Sequence, residues 1–219
     1  MVVNNTCAHR IKPGYDLRQD TIIKGVGMKR IKLSSIKELE AFKHHFEQRA
    51  GNKVSIEYLN ASNVYAYRSG NELKAGYVIH AGTQHRFFDL MQEVGFERIK
   101  PLPGEQEDFC EITCMWMEPE VRSYSLRVRF YTSCMLATFA QRKPFVIGGT
   151  KTDAVAKRQK YCLPNILFHG DTQNSIGSGR WFIYYGTTWT FVKGFASQFA
   201  DETRKVIGWS RRGGTEARA

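Results

Sequence analysis

A group of serine and arginine residues near the middle of the chain has the right position to bind phosphate. It comprises Arg122, Ser123, Ser125, Arg127 and Arg129, and it lies between a predicted strand and a predicted helix. The first turn of a helix has unpaired N–H groups and the positive end of the helix dipole, and both attract phosphate. The sequence therefore predicts an anion site at this turn. An alternative interpretation is a solvated basic loop followed by an ordinary N-capped helix.

The strand before this turn is predicted over residues 110–117, where side chains alternate with a period of two. Both of its faces are mostly apolar, which is typical of a central strand. Strict alternation predicts that Glu111, Thr113, Met115 and Met117 share one face.

The turn leads into a helix that we predict over residues 125–142. Two apolar stripes along it predict that the helix is buried. Residues 145–147 follow as a short strand rich in β-branched residues, as expected for an interior parallel strand. Strand, helix and strand together predict a right-handed crossover unit.

Local signals define most of the other elements. Ser35 and Glu38 form a capping box that begins a helix, and residues 64–68 and 73–80 flank a short turn as a hairpin. The remaining predicted elements are a strand over 28–33, helices over 84–94 and 152–161, strands over 165–169 and 181–185 around a flexible loop at 170–180, and a last helix with Phe191, Phe195 and Phe199. We expect residues 1–20 to form an irregular arm, 21–210 a single domain and 211–219 a disordered tail.

Composition narrows the class of protein. The chain has 219 residues, 42% of them hydrophobic, which suits one domain with a full core. We expect a cytoplasmic protein without a transmembrane segment, since no run of about 18 apolar residues occurs. The five cysteines include no C-x-x-C pair, so we expect buried free thiols and no metal site. The net charge of +11 favours a polyanionic partner, such as nucleic acid, an acidic protein or a nucleotide cofactor.

Three segments, in this order and spacing, resemble the GNAT-like N-acyltransferase superfamily. They are the hairpin at 69–78, the strand and its exit at 111–122, and the helix end at 156–164. The resemblance covers roughly residues 28–185. It implies an α/β (α+β) fold with a mixed, mostly antiparallel central sheet, helices on its faces and a splayed central strand pair.

The resemblance also implies roles for individual residues. Glu111 would act as the base that deprotonates an acceptor amine, and Tyr161 would protonate the leaving thiolate. No cofactor would be bound permanently; the co-substrate would be an acyl-phosphopantetheine thioester. Its pantetheine arm would pair near Met115 and Met117. Its phosphate would lie on the turn formed by Arg122, Ser123, Tyr124, Ser125, Leu126 and Arg127.

One departure from the superfamily pattern bears on the donor. The turn carries Ser125 and Arg127 where the superfamily usually has glycines that close on a pyrophosphate. This departure favours the branch that takes acyl chains from acyl carrier protein, namely the acyl-homoserine-lactone synthases and N-acyl amino acid synthases. The chain has no tryptophan before Trp116, unlike the lactone synthases, so we do not expect lactone synthesis. Carrier proteins are acidic, which suits a strongly basic chain.

The sequence thus predicts an N-acyltransferase that moves an acyl group, fatty chains included, from acyl carrier protein or CoA to the amine of a small molecule such as an amino acid. Two alternatives remain open: a non-catalytic nucleic-acid-binding protein on the same scaffold, and a transferase that acts on charged tRNA. Glu111 also has a structural interpretation as a buried carboxylate paired with an arginine, and Tyr161 as a core aromatic.

Overall fold

The computed structural model describes residues 28–94, 101–119, 124–172 and 176–213, with side chains up to residue 200. The strands are β1 (Lys29–Leu33), β2 (Asn63–Ser69), β3 (Glu72–His80), β4 (Phe109–Met117), β5 (Phe145–Thr150), β6 (Asn165–Thr172) and β7 (Gly179–Thr187). The helices are α1 (Ile36–Ala50), α2 (Ile56–Asn60), α3 (Arg86–Val94), α4 (Tyr124–Phe139), α5 (Asp153–Cys162) and α6 (Thr188–Gly213).

The seven strands form one sheet in the order β1-β2-β3-β4-β5-β7-β6. Only β4 and β5 are parallel neighbours, and every other pair is antiparallel. The predicted mixed, mostly antiparallel sheet with helices on its faces is therefore confirmed. The crossover from β4 through α4 to β5 lies at its centre, as the strand, helix and strand pattern predicted.

Three groups of buried apolar residues cover the sheet. One lies under α4, α5 and α6 and includes Phe130 and Phe195. A second lies under α1 and α2 and includes Phe42 and Trp116. The third surrounds α3 and includes Phe87. Burial of apolar surface on both faces is what makes β4 an interior strand.

The capping box predicted at the start of α1 is present. The Ser35 hydroxyl accepts a hydrogen bond from the Glu38 N–H, and the Glu38 carboxylate reaches back to the Ser35 N–H. Gly51 ends the helix at φ 63°, a left-handed conformation that glycine adopts without strain. Leu39, Phe42 and Phe46 form the buried face of the helix, whereas Ile36 is 51% exposed.

Helix α4 is shorter and less buried than its pattern predicted. It spans Tyr124–Phe139, and its buried stripe consists of Leu126, Phe130, Cys134 and Ala137. The second predicted stripe, Val128, Tyr131, Met135 and Thr138, is buried only in part. Thr138 is buried and Met135 packs against the core, whereas Tyr131 is 36% exposed.

The structure differs from the prediction in two further places. Residues 170–180 were predicted as a loop, but β6 continues to Thr172 and β7 begins at Gly179. The five-residue helix α2 was not predicted at all. Residues 1–20 lie outside the described part of the chain. So do residues 214–219, and α6 reaches Gly213.

No helix in the described ranges is both long and apolar enough to cross a membrane.

We predict that Gly194→Ala destabilises the protein by about 1–3 kcal/mol, although alanine is the better helix former by about 0.5–1 kcal/mol. A Cβ at Gly194 in α6 would overlap the carbonyl oxygen of Tyr161 and lie 2.7 Å from Cys162 Cα. Both are backbone atoms of α5, so the helices would have to move apart. Urea unfolding measures the change. Ser197→Ala, on the exposed side of α6, is the control; a Gly194→Ala protein as stable as the wild type would contradict the close helix contact.

Candidate active site

The two central strands, β4 and β5, separate after a short paired segment. β4 and β5 pair over four residues, from Phe109 opposite Phe145 to Ile112 opposite Gly148. Beyond these residues β4 pairs only with β3, and β5 only with β7, within the described ranges. α4 is the next element after β4, and Leu126 in its first turn packs in the same apolar group as Met115 and Met117. The predicted phosphate-binding helix start therefore lies on the side of β4 that carries these two methionines.

A bulge in β4 reverses its side-chain alternation. Cys114 has φ 50°, and Cys114 and Met115 together lie opposite Tyr77, between the pairs Thr113–Val78 and Trp116–Gly76. A non-glycine residue in this left-handed region costs roughly 1–3 kcal/mol, so the surrounding structure has to stabilise it.

The bulge corrects the predicted faces of β4. Met115 and Met117 pack with the apolar group under α4, whereas Cys114 and Trp116 pack under α1. Glu111 and Thr113 therefore do not share a face with the two methionines, as strict alternation had predicted. One side of β4 faces the cationic helix start, and the other carries the polar residues.

Those polar residues belong to what we call the buried polar cluster: Tyr58, His80, His85, Arg86 and Glu111. Glu111 Oε2 lies 3.5 Å from His85 Nδ1, and neither side chain is exposed to solvent. His85 Nε2 lies 3.0 Å from the Gln106 carbonyl oxygen. A carbonyl only accepts, so Nε2 carries a hydrogen and Nδ1 faces the carboxylate.

His80 and Tyr58 complete the cluster next to this pair. His80 Nδ1 lies 2.9 Å from the Ser62 hydroxyl, and the His80 ring contacts both Tyr58 and His85. Burial lowers the pKa of His80, although the charge of Glu111 acts in the opposite direction. Burial, followed by the charge of Glu111, raises the pKa of Tyr58 well above its usual range. At neutral pH His80 is therefore uncharged and Tyr58 keeps its proton.

Several polar atoms of the cluster are buried without a hydrogen-bond partner. They are the Tyr58 hydroxyl, His80 Nε2, His85 Nδ1 and both carboxylate oxygens of Glu111, within the part of the chain that the structure describes. The Tyr58 hydroxyl lies near Glu111, whose charge contributes to the raised pKa of Tyr58. A buried polar group left unpaired costs about 1–3 kcal/mol, and such groups concentrate at functional sites.

Arg86, the first residue of α3, is the cation of the cluster and is only 7% exposed. Its guanidinium donates to the Thr113 hydroxyl at 2.9 Å, to Cys114 Sγ at 3.0 Å and to the Lys53 carbonyl oxygen. Burial raises the pKa of Cys114 to about 11, so its thiol stays protonated. Arg86 thus holds both residues at the bulge.

The structure describes four of the six residues that were predicted to bind phosphate at the start of α4. Its first turn contains no acidic residue. Ser125 is exposed, Tyr124 and Arg127 are half-buried, and Leu126 is buried in the core under the helix. Arg122 and Ser123 lie outside the described residues. In the described part of this turn, no carboxylate of α4 neutralises the positive end of the helix dipole.

Tyr161 lies on the last turn of α5 with its side chain 72% exposed, so it is not a core aromatic. Its neighbours in the helix approach the opening: a Cβ on Gly148 would lie 3.1 Å from Leu163 Cδ1 and 3.6 Å from Gln159 Nε2. Gly148 is the last residue of β5 that pairs with β4. The helix end therefore sits beside the opening. The role of Tyr161 stays a prediction, as do those of Glu111 and the α4 turn.

Comparisons with known proteins identify the architecture. No family model matches the sequence, and no curated protein matches it. Among solved structures, FeeM, an N-acyl amino acid synthase from uncultured soil microbes, aligns with a TM-score of 0.52 over 75% of this chain and 94% of its own, at 11% identity. The chain has a GNAT-like fold.

Two further solved structures match this GNAT-like fold more loosely. An IAA acetyltransferase from Bacillus cereus covers 74% of this chain and 99% of its own, at 11% identity and a TM-score of 0.46. A GNAT family acetyltransferase from Elizabethkingia anophelis with acetyl-CoA bound covers 73% and 97%, at 12% identity and a TM-score of 0.45. The fold that the resemblance implied is confirmed by the alignment with FeeM.

Sequence reasoning missed four members of the buried polar cluster: Tyr58, His80, His85 and Arg86. They come from α2, the end of β3 and the start of α3, and only the folded sheet brings them to Glu111. One signal was present, since His80 ends a predicted strand that neighbours β4. Its pairing with Glu111 required the register of the two strands, which the sequence does not provide.

We predict that His80 makes the protein less stable as the pH falls. Burial lowers the pKa of His80 below its ordinary value of 6.5, so below that pH the unfolded chain binds a proton that the folded chain rejects. The free energy of unfolding should therefore fall on acidification from pH 7 to 5, by no more than about 1.4 kcal/mol per pH unit for this group. Urea unfolding at stepped pH should show a flatter profile for His80→Asn.

His44→Asn is the matched control, because the His44 ring is on the exposed surface of α1. Equal pH slopes for His80→Asn and the wild type would contradict the buried, neutral state of His80.

Proposed function

We propose that this protein is an N-acyltransferase that moves an acyl group from a phosphopantetheine thioester to the amine of a small molecule such as an amino acid. The observation that carries the proposal is the parting of β4 and β5 after four paired residues, beside a helix start without acidic residues. The fold shared with FeeM, described as an N-acyl amino acid synthase, supports the same class of reaction.

The donor would occupy the side of β4 that faces α4. β4 no longer pairs with β5 after Ile112, so a pantetheine amide would hydrogen-bond the β4 backbone near Met115 and Met117. The phosphate would lie at the N–H groups of Ser125, Leu126 and Arg127, together with Arg122, Ser123 and Tyr124. The apolar side chains of the two methionines, which pack under α4, offer a surface for a fatty chain.

Acyl carrier protein is our preferred donor, with CoA as the other. The side chains at Ser125 and Arg127 leave less room for a pyrophosphate than glycines would, and a carrier protein presents only one phosphate. The net charge of +11 would attract an acidic carrier protein and speed its association.

The acceptor would use the other side of β4, where Glu111 and His85 lie. The acceptor ammonium would lose one proton to this pair, directly or through a water molecule. The free amine would then attack the thioester carbonyl carbon, so that a C–N bond forms and the C–S bond breaks. The second amine proton passes to the departing thiolate, and the pair returns its proton to solvent.

We assign Tyr161 the transfer of this second proton: its hydroxyl protonates the thiolate, and the amine proton returns to the phenolate oxygen. The end of α5, where Tyr161 lies, packs over Gly148 beside the opening. Its exposed hydroxyl would have to turn toward the thiolate when the donor is bound. Most of the rate would come from holding the two substrates in contact, since little covalent chemistry by the protein is required.

We predict that Glu111→Gln lowers kcat/KM for acyl transfer by about 10²- to 10⁴-fold, the usual contribution of a general base. Glutamine keeps the shape of the side chain but cannot accept the proton. The assay supplies acetyl-CoA, decanoyl-CoA and decanoyl-acyl carrier protein with a mixture of amino acids, and mass spectrometry detects the N-acyl product.

The control is Glu40→Gln, an exposed residue of α1. Unchanged product from Glu111→Gln would remove Glu111 from the mechanism. If the wild type forms no acylated product from any donor and instead binds RNA or DNA with strong salt dependence, the nucleic-acid hypothesis replaces the transferase.

We also predict that Arg127→Gln raises KM for the donor about 10-fold and leaves KM for the acceptor unchanged. A hydrogen bond from a cation to phosphate is worth about 1.5–3 kcal/mol, and partial exposure reduces this value. Arg129→Gln is the matched control, since Arg129 is exposed two residues further along α4 and points to another side of the helix. Equal effects of the two substitutions on donor KM would mean that only net charge matters.

A further inference from the structure

Arg86 is buried in the polar cluster with neutral acceptors only. The preceding residue, His85, contacts Glu111. The guanidinium of Arg86 donates instead to a hydroxyl, a thiol and a backbone carbonyl. Within the described ranges, no carboxylate lies within ion-pair distance of it. Burying a cation without a hydrogen-bonded anion is costly, and such a group is retained where an anionic ligand binds.

The guanidinium also keeps donors for a ligand. Arginine has five N–H groups, and the hydrogen bonds of Arg86 to Thr113, Cys114 and Lys53 use three of them in the described part of the chain. The remaining two N–H groups belong to a rigid, planar fork that matches a carboxylate.

Arg86 and the proposed base lie a short distance apart along β4. The guanidinium is fixed at Thr113, and Glu111 is two residues earlier on the same face, which corresponds to roughly 7 Å of strand. A single α-amino acid, hydrogen-bonded at its ammonium and at its carboxylate, spans a similar distance. The cluster thus offers one anion and one cation at the spacing of a zwitterion.

The backbone around Arg86 encloses this region. The Lys53 carbonyl accepts from Arg86, and the Lys53 N–H donates to the Ile176 carbonyl at 2.9 Å. The connection between α1 and α2 is therefore tied both to α3 and to the connection between β6 and β7. Arg86 and Glu111 are both buried beneath these connections, and this burial favours a small acceptor over a folded protein.

We propose that Arg86 binds the α-carboxylate of an amino-acid acceptor, while Glu111 and His85 take the proton from its amine. This assignment rests on the proposed acyltransferase function, and it makes free amino acids the acceptor class. Simple amines, amino-acid amides and lysine side chains of proteins are poor acceptors, because they leave the Arg86 fork without its anion.

The test compares amino acids with their amides, which keep the amine and lose the carboxylate. The full chain is assayed with decanoyl-CoA and with decanoyl-acyl carrier protein, on matched pairs such as leucine with leucinamide and tyrosine with tyrosinamide. We expect the wild type to prefer the acids by about 10- to 100-fold in kcat/KM, the range for hydrogen bonds to a charged group. Arg86→Gln should raise KM for the acids by a similar factor more than for the amides, so that the preference for acids is lost even if loosening of the bulge lowers both rates.

Arg68→Gln is the control for loss of one positive charge, because Arg68 pairs with Glu38 away from the cluster. Arg86→Lys should recover part of the preference, since it keeps the charge and loses the fork. Circular dichroism verifies that each variant is folded. If Arg86 only holds the bulge in place, Arg86→Gln will lower the rates with acids and with amides by the same factor. That result overturns the inference.

The wild-type comparison needs no variant and remains decisive if Arg86→Gln does not fold. Equal use of acids and amides by the wild type overturns the assignment of Arg86 but leaves the acyltransferase standing. Absence of transfer to every amine, from either donor, overturns the proposed function and the Arg86 assignment with it.

Discussion

The incomplete pairing of β4 with β5 is the constraint on which the rest of the structure depends. After Ile112 the centre of the sheet lacks the hydrogen bonds that would close it, and the bulge at Cys114 turns the following side chains over. Each face of β4 then has its own environment: methionines under α4 on one face and the buried polar cluster on the other. A continuous, regular sheet would bury more backbone but would leave no place for the two substrates of the proposed transfer to meet.

Buried charge stabilises this arrangement and also creates its chemistry. Arg86 bonds to both Thr113 and Cys114, so the cation that we assign to substrate binding also holds the left-handed residue at the bulge. In the low dielectric of the interior these contacts are stronger than in water, and unpaired polar atoms such as those of Glu111 are costlier. The unpaired buried atoms and the left-handed Cys114 lower the stability of the fold, and such destabilising features are common at functional sites.

Sequence patterns predicted what depends on local physics. The capping box at Ser35, the hairpin and the crossover through α4 follow from caps, turns and periodicity, and the structure contains them. The bulge at Cys114 was not predictable. Both faces of this strand are mostly apolar, so the sequence pattern is the same whether or not one extra residue is inserted. The polar cluster was missed for a different reason: His80, His85 and Glu111 meet only through strand register and helix docking. Glu111 itself was identified by resemblance and not from its spacing.

The most direct test of the central opening is a crystal structure with pantetheine 4′-phosphate, the group that CoA and acyl carrier protein share. We predict that its chain lies between β4 beyond Ile112 and β5 beyond Gly148, with the phosphate at the N–H groups of Ser125 and Arg127. Binding to another surface, or a structure in which β4 and β5 pair along their full length, would contradict the account.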